Sequence, residues 1–98
     1  MYITMALLPP WICKTPKMTA SAILLLERFV VVSKNGTEAF SIDKEVYAKT
    51  FGMPTATVSK SIKRLIKLGF LEMVTPYDKD QDERYYNVTQ KTFGGKSL

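Results

Sequence analysis

Residues Ser41 to Gly69 read SIDKEVYAKTFGMPTATVSKSIKRLIKLG, and the Gly-Met-Pro at 52–54 decides how the chain folds. Val46, Tyr47 and Phe51 recur at helical spacing, which predicts a short helix. Ser41 is its expected cap, because a serine oxygen there accepts from backbone N–H groups that lack a partner inside the helix. Gly52 predicts where it ends, since glycine takes a left-handed backbone without steric cost. Pro54 predicts a second helix starting almost at once, because a proline in a first turn gives up only an N–H that would go unpaired. Two helices parted by so tight a turn cannot run end to end. They must cross.

The second helix has two unlike faces. Stepping about 100° per residue from Val58 puts Val58, Ser61, Ile62, Leu65, Ile66 and Leu68 on one side. Ala56, Ser59, Lys60, Lys63 and Lys67 gather on the other, with the three lysines in a narrow arc. Lysines on a helix face often do nothing more than keep it solvated. An ordinary solvated face, however, interleaves Glu with Lys, and no acidic residue stands between Val58 and Gly69. Small residues at 56 and 59 also leave room for a partner to come close. The face reads as one made for phosphate.

These residues carry a resemblance. Ala48, Gly52 and Val58, with Tyr47, Phe51, Met53 and Ile62 around them, resemble the spacing of bacterial helix-turn-helix domains. In that family the alanine lets two helices cross closely, the glycine makes the turn, and the valine locks the second helix down. IKRLIKLGFLEMV, residues 62–74, resembles the end of a recognition helix leading into the wing of winged-helix proteins, and RYYNVT, residues 84–89, resembles the returning wing strand. The resemblance spans Met18 to Thr89, and its nearest general type is MarR-like. It departs at Pro54, where such proteins often carry a capping Ser or Thr.

The fold implied is a winged helix-turn-helix, mainly α with a small antiparallel β wing: a three-helix core plus a β-hairpin. The function implied is sequence-specific binding of double-stranded DNA by a homodimer, a small transcriptional regulator. Its two recognition helices, 54–68, would enter successive major grooves about one helical turn apart. Carried onto this sequence, the contact residues are Thr55, Ala56, Thr57, Ser59, Lys60, Lys63, Arg64 and Lys67, with Lys79 and Arg84 from the wing. MTASAILLLERF, residues 18–29, is also similar to phage and plasmid replication or partition proteins. There the same fold marks an origin or centromere and recruits a partner protein. A winged helix used only for protein contact is a third reading, which the lysine face disfavours.

Composition agrees with an anionic partner. The net charge is +5 over 98 residues, which favours nucleic acid before a membrane surface. All but three of the basic residues are Lys, a point charge on phosphate rather than the fork that reads guanine, so backbone contact is expected to outweigh base readout. With one cysteine and no histidine, the chain has no internal disulfide, no zinc site of the usual Cys/His type and no His-based acid–base chemistry. Neither cofactor, metal nor enzymatic activity is expected. Cys13 reads as a small buried hydrophobe.

Outward from the central stretch, residues 1–17 are expected to be an extended arm, residues 18–89 the domain, and residues 90–98 a tail that frays at Gly94-Gly95. The arm is apolar, but no basic residue precedes its apolar part and Pro9-Pro10 interrupts it, so it reads as neither signal peptide nor membrane span. A cytoplasmic, nucleoid-associated protein is expected. Thr19 should cap a first long helix running from Ala20 to about Lys34 and closed by Asn35-Gly36. Ile23 to Leu26 and Val30 to Val32 make that helix apolar nearly all round, more than one small domain covers. The surplus must meet the N-terminal arm, a second protomer or both; the arm alone is one reading, and the preferred one is a dimer contact at Leu7, Leu8, Trp11, Ile12, Ile23 and Leu24.

A short strand at Ala39–Ser41 and two antiparallel strands at 70–75 and 84–89 complete the expected wing, with Leu71, Met73, Tyr86 and Val88 facing inward. The loop between contains Asp78, Asp80 and Asp82 at the spacing of calcium ligands in an EF-hand. Glu83 stands where that loop needs glycine and Thr89 where it needs glutamate, so a solvated loop is the better reading. Its acids would be repelled by a phosphate strand. Lys60 and its neighbours should therefore dominate over Lys79.

Overall fold

A computed structural model describes residues 10–74 and 84–93. In chain order these are α1 (Pro10–Cys13), α2 (Ala20–Val32), β1 (Phe40–Ser41), α3 (Lys44–Phe51), α4 (Thr55–Leu68), β2 (Leu71–Val74), β3 (Tyr85–Val88) and a 3-10 turn, Gln90–Phe93. Leu7, Leu8, Lys79, the loop aspartates and Gly94-Gly95 lie outside the described residues.

Thr19 caps α2 as expected, its hydroxyl oxygen accepting from the Ala22 N–H at 3.2 Å. The helix stops at Val32, two residues early, because buried Ser33 replaces the next turn with its own hydrogen bonds. Its hydroxyl donates to the Val30 carbonyl and accepts from the Gly36 N–H. Lys34, Asn35 and Gly36 then all take a left-handed backbone. Gly36 is needed there twice over, since a Cβ would come 3.1 Å from the Val88 carbonyl oxygen. The Asn87 side chain fastens this loop to β3 by donating to the Gly36 carbonyl.

The three strands form one antiparallel sheet in the order β1-β3-β2, with Phe40 opposite Tyr86 and Leu71 opposite Val88. Its inner face packs with α2 and α4 into a core that includes Leu25, Leu26, Phe29, Val58, Leu65, Phe70 and Leu71. Phe29 centres the aromatic part, 5.2 Å from Phe40 and edge-on to Tyr47 at 5.4 Å. Burying a side chain of this size contributes about 1.5–3 kcal/mol. Among the described residues no helix is long and apolar enough to cross a membrane.

Several expectations need correction. Asp43, not Ser41, caps α3, accepting from the Glu45 and Val46 N–H groups. Ser41 is taken into β1 by its pairing with Tyr85. Val46 then falls on the solvent side of α3, where only Ala48 is buried. Met73 shares a face with Leu71 but is 45% exposed, on the edge strand β2. Residues 10–13 are a helical turn rather than an extended arm, and exposed Cys13 is not core. Ile12 is 0% exposed: it belongs to the core of its own chain and is not free to meet a second protomer. Gln90–Phe93, expected in the tail, fold back onto the domain and bury Thr92.

Candidate nucleic-acid interface

The turn that sets α4 is built by the backbone. Gly52 sits at φ 63°, and its N–H together with that of Met53 returns to the last carbonyls of α3. A Cβ at Gly52 would meet nothing within 4 Å, so the glycine is required by its dihedral alone. Pro54 is the N-cap rather than the first helical residue. Its extended backbone offers a carbonyl to the Thr57 and Val58 N–H groups, and no side chain caps the helix.

Val58, Ser61, Ile62 and Leu65 are buried, while Ile66 and Leu68 are half-buried. The opposite side carries Ala56, Lys60, Lys63 and Lys67 exposed, with Ser59 and Thr57 half-buried at its margin, and Thr55 is exposed at the helix start. The helix runs about 21 Å at its ordinary rise, and no acid stands in its first turn. Its uncapped N-terminus adds a partial positive charge to the three ammonium groups. The arrangement can hold a polyanion along one side of one rigid helix.

Two of the expected basic contacts are placed differently from the rest. Arg64 is half-buried on the flank of α4, and its guanidinium donates to the Lys17 carbonyl at 2.8 Å. Its first task is to tie α4 to the segment before α2. Lys17 itself takes a left-handed backbone, φ 69°, at the point of that tie. Arg84 is exposed and lines an open cleft with Thr55 and the start of α3: Ser41, Ile42, Asp43, Lys44 and Glu45.

Sequence reasoning missed that cleft. It brings Lys44 beside the start of α4, along with the acids Asp43 and Glu45, so the N-terminal end of the lysine face is of mixed charge. The signal was local: a second capping residue, Asp43, two places after Ser41 and directly before the helix. Burial pushes the Tyr47 hydroxyl above the ordinary phenol range, against a smaller opposing pull from Arg28.

Of the expected dimer contacts, Trp11 and Leu24 are partly exposed and Ile23 is half-buried. Val31, two turns beyond Leu24 on the same side of α2, is 51% exposed. Trp11 also packs against Phe70, with ring centroids 5.7 Å apart.

No family model matches the sequence, and no curated protein matches it. Among solved structures, the chain is similar to the adhesin competence repressor AdcR from Streptococcus pyogenes, with a TM-score of 0.54 and 21% identity. The match covers 82% of this chain but 53% of that one, so this chain spans about half its length. A likeness at this identity speaks to architecture. With α2, α3 and α4 crossing over a small antiparallel sheet, the chain has the winged helix-turn-helix fold.

Proposed function

We propose that the protein is a sequence-specific double-stranded DNA-binding protein of MarR-like type, a small dimeric transcriptional regulator that lays α4 in the major groove. One observation carries the reading: α4 is fixed by its buried face while Ala56, Ser59, Lys60, Lys63 and Lys67 stand on the other without an acidic neighbour on the helix. Lysines in that position neutralise phosphates, and small residues near the helix start let the backbone approach base edges. That the structural neighbour is described as a repressor supports a regulator. A dimer is supported by exposed Leu24 and Val31 on α2 and by exposed Trp11 on α1. It would present two α4 helices to half-sites about 34 Å apart.

Selection of bound sequences from random duplex DNA, followed by a salt titration on the selected site, tests this. Enrichment of a pseudo-palindrome, with affinity falling steeply as salt rises, is the expected result. No retention of any duplex at low salt would overturn it. Enrichment of tandem repeats instead of a palindrome would favour the replication or partition role.

A further inference from the structure

The joint between α4 and β2 is held from both ends of the described chain. Three consecutive backbone carbonyls there each receive a side-chain donor from the segment after β3. Lys91 Nζ donates to the Leu68 carbonyl at 2.7 Å, Thr89 Oγ1 to that of Gly69, and Thr92 Oγ1 to that of Phe70 at 3.2 Å. Thr89 also donates its N–H to the Phe70 carbonyl at 3.0 Å. Carbonyls at the end of a helix have no partner within it, so the donors to Leu68 and Gly69 fill places that water would otherwise take. The Lys91 ammonium lies 5.0 Å from the centroid of the Phe70 ring, and Trp11 packs on the same ring. Phe70 itself is wholly buried. The cation therefore meets two features that favour it: an aromatic face and the negative end of α4.

From this geometry we infer that Lys91 is a positioning residue for the candidate DNA-binding helix, fixing the C-terminal end of α4 relative to β2 and so to the wing. Its charge is spent on the Leu68 carbonyl and the Phe70 ring rather than on phosphate. Lys60, Lys63 and Lys67 act on the polyanion directly, whereas Lys91 sets the angle at which their helix is offered. The inference rests on the DNA-binding reading only for its consequence; the clamp is a property of the free protein.

Lys91→Met keeps the stem and removes the donor and charge, and Lys91→Arg restores both. Since Lys91 is exposed, neither change threatens the fold. In free full-length protein, amide exchange at Gly69 and Phe70 is expected to rise about tenfold in Lys91→Met and to return toward the original in Lys91→Arg. Unchanged exchange in Lys91→Met overturns the clamp whatever the DNA result. On a selected duplex, Lys91→Met is expected to lose about tenfold in affinity, with a scrambled duplex changing less than about twofold and the log–log salt slope unmoved. Equal loss on both duplexes with a slope shallower by about 1 would make Lys91 a phosphate contact and overturn the positioning role. Failure of the original protein to bind either duplex, with exchange still dependent on Lys91, would overturn the DNA-binding reading and the consequence drawn from it, leaving the clamp in place.

Discussion

The Met53 amide donates to the Ala48 carbonyl at 3.0 Å, so the turn into α4 closes on the one buried residue of α3. Backbone and side chain of Ala48 thus act together: the carbonyl fixes the turn and the methyl group sets how closely the helix meets its neighbours. α3 and α4 lie in direct contact, and Val58 on α4 is wholly buried in the same core.

Ala48→Leu should therefore be destabilising by about 1–3 kcal/mol, because extra methylenes at a packed crossing force backbone shifts. Val58→Ala should cost a similar amount, about 1–3 kcal/mol, by opening a cavity. Urea denaturation of the two variants measures both. Ala48→Leu should also weaken DNA binding, whereas an exposed neighbour such as Val46→Ala should leave stability within about 0.5 kcal/mol. Equal stability of Ala48→Leu and the original would mean that the two helices do not cross there.

Tyr47 gives the fold a dependence on alkaline pH. Its pKa is raised in the folded chain, chiefly by burial, so the folded state holds the phenol proton after the unfolded chain has lost it. The unfolded state then binds fewer protons, and stability must fall as pH rises. The contribution is complete below the ordinary phenol value of about 10 and is lost as pH climbs through the folded value. Tyr47→Phe should flatten this part of the decline. Urea midpoints compared between the two proteins from about pH 8.5 to 11.5 isolate the effect from the lysines, which titrate in both. Parallel curves would show that the hydroxyl is solvated in both states.

What could be read from the sequence was what local chemistry decides. Gly52 had to end a helix, the lysines had to share a face, and Thr19 had a capping oxygen in the right place. Errors arose where two local solutions were equally good and a distant residue chose between them. Ser41 and Asp43 are both capping types, and Tyr85, far along the chain, drew Ser41 into a strand. Sequence alone assigns Ile12 to a dimer contact and Thr92 to a loose tail, because nothing near either in sequence is a partner. Ile12 joins the core and Thr92 bonds to the Phe70 carbonyl only once the sheet and α4 are assembled. Met73 alternates correctly with Leu71 but has no layer to cover it. Alternation names a face, not whether that face is buried.

The apolar side of α2 yields a prediction about assembly. Leu24 and Val31 flank Arg28 on the exposed side, so Leu24→Lys with Val31→Lys changes no core residue. Sedimentation at micromolar concentration should give twice the 11.1 kDa chain mass for the original protein and the single mass for this variant. The melting temperature of the variant at high dilution should match the original, since each is then a monomer. Ile12→Ala should behave differently, destabilising the single chain by about 2–5 kcal/mol because it empties a core position. An original protein that sediments as a monomer would sink the dimer.

The last prediction concerns the lysine face, on which the proposed function rests. Lys60, Lys63 and Lys67 are exposed on a helix whose other side is buried, so none can be replaced in its role by a small rotation of α4. Each lysine near a phosphate displaces condensed counterions. Replacing one with alanine should weaken binding to a selected and a scrambled duplex alike, and make the log–log salt slope shallower by about 1. Ser59, nearer the helix start and half-buried at the margin of the same face, should act otherwise. Its replacement should narrow the gap between the two duplexes, by about 1–3 kcal/mol if it makes a good base contact, and leave the slope alone. Arg64→Ala should combine a shallower slope with lower stability, because its guanidinium also holds the Lys17 carbonyl. Lys79→Ala should do less than Lys60→Ala, since Asp78 and Asp80 beside it in sequence offset its charge. The measurement is affinity at four or more salt concentrations for each variant on both duplexes. An unchanged slope for Lys60→Ala and Lys63→Ala beside a large loss for Lys79→Ala would make the wing the reading element and α4 its support.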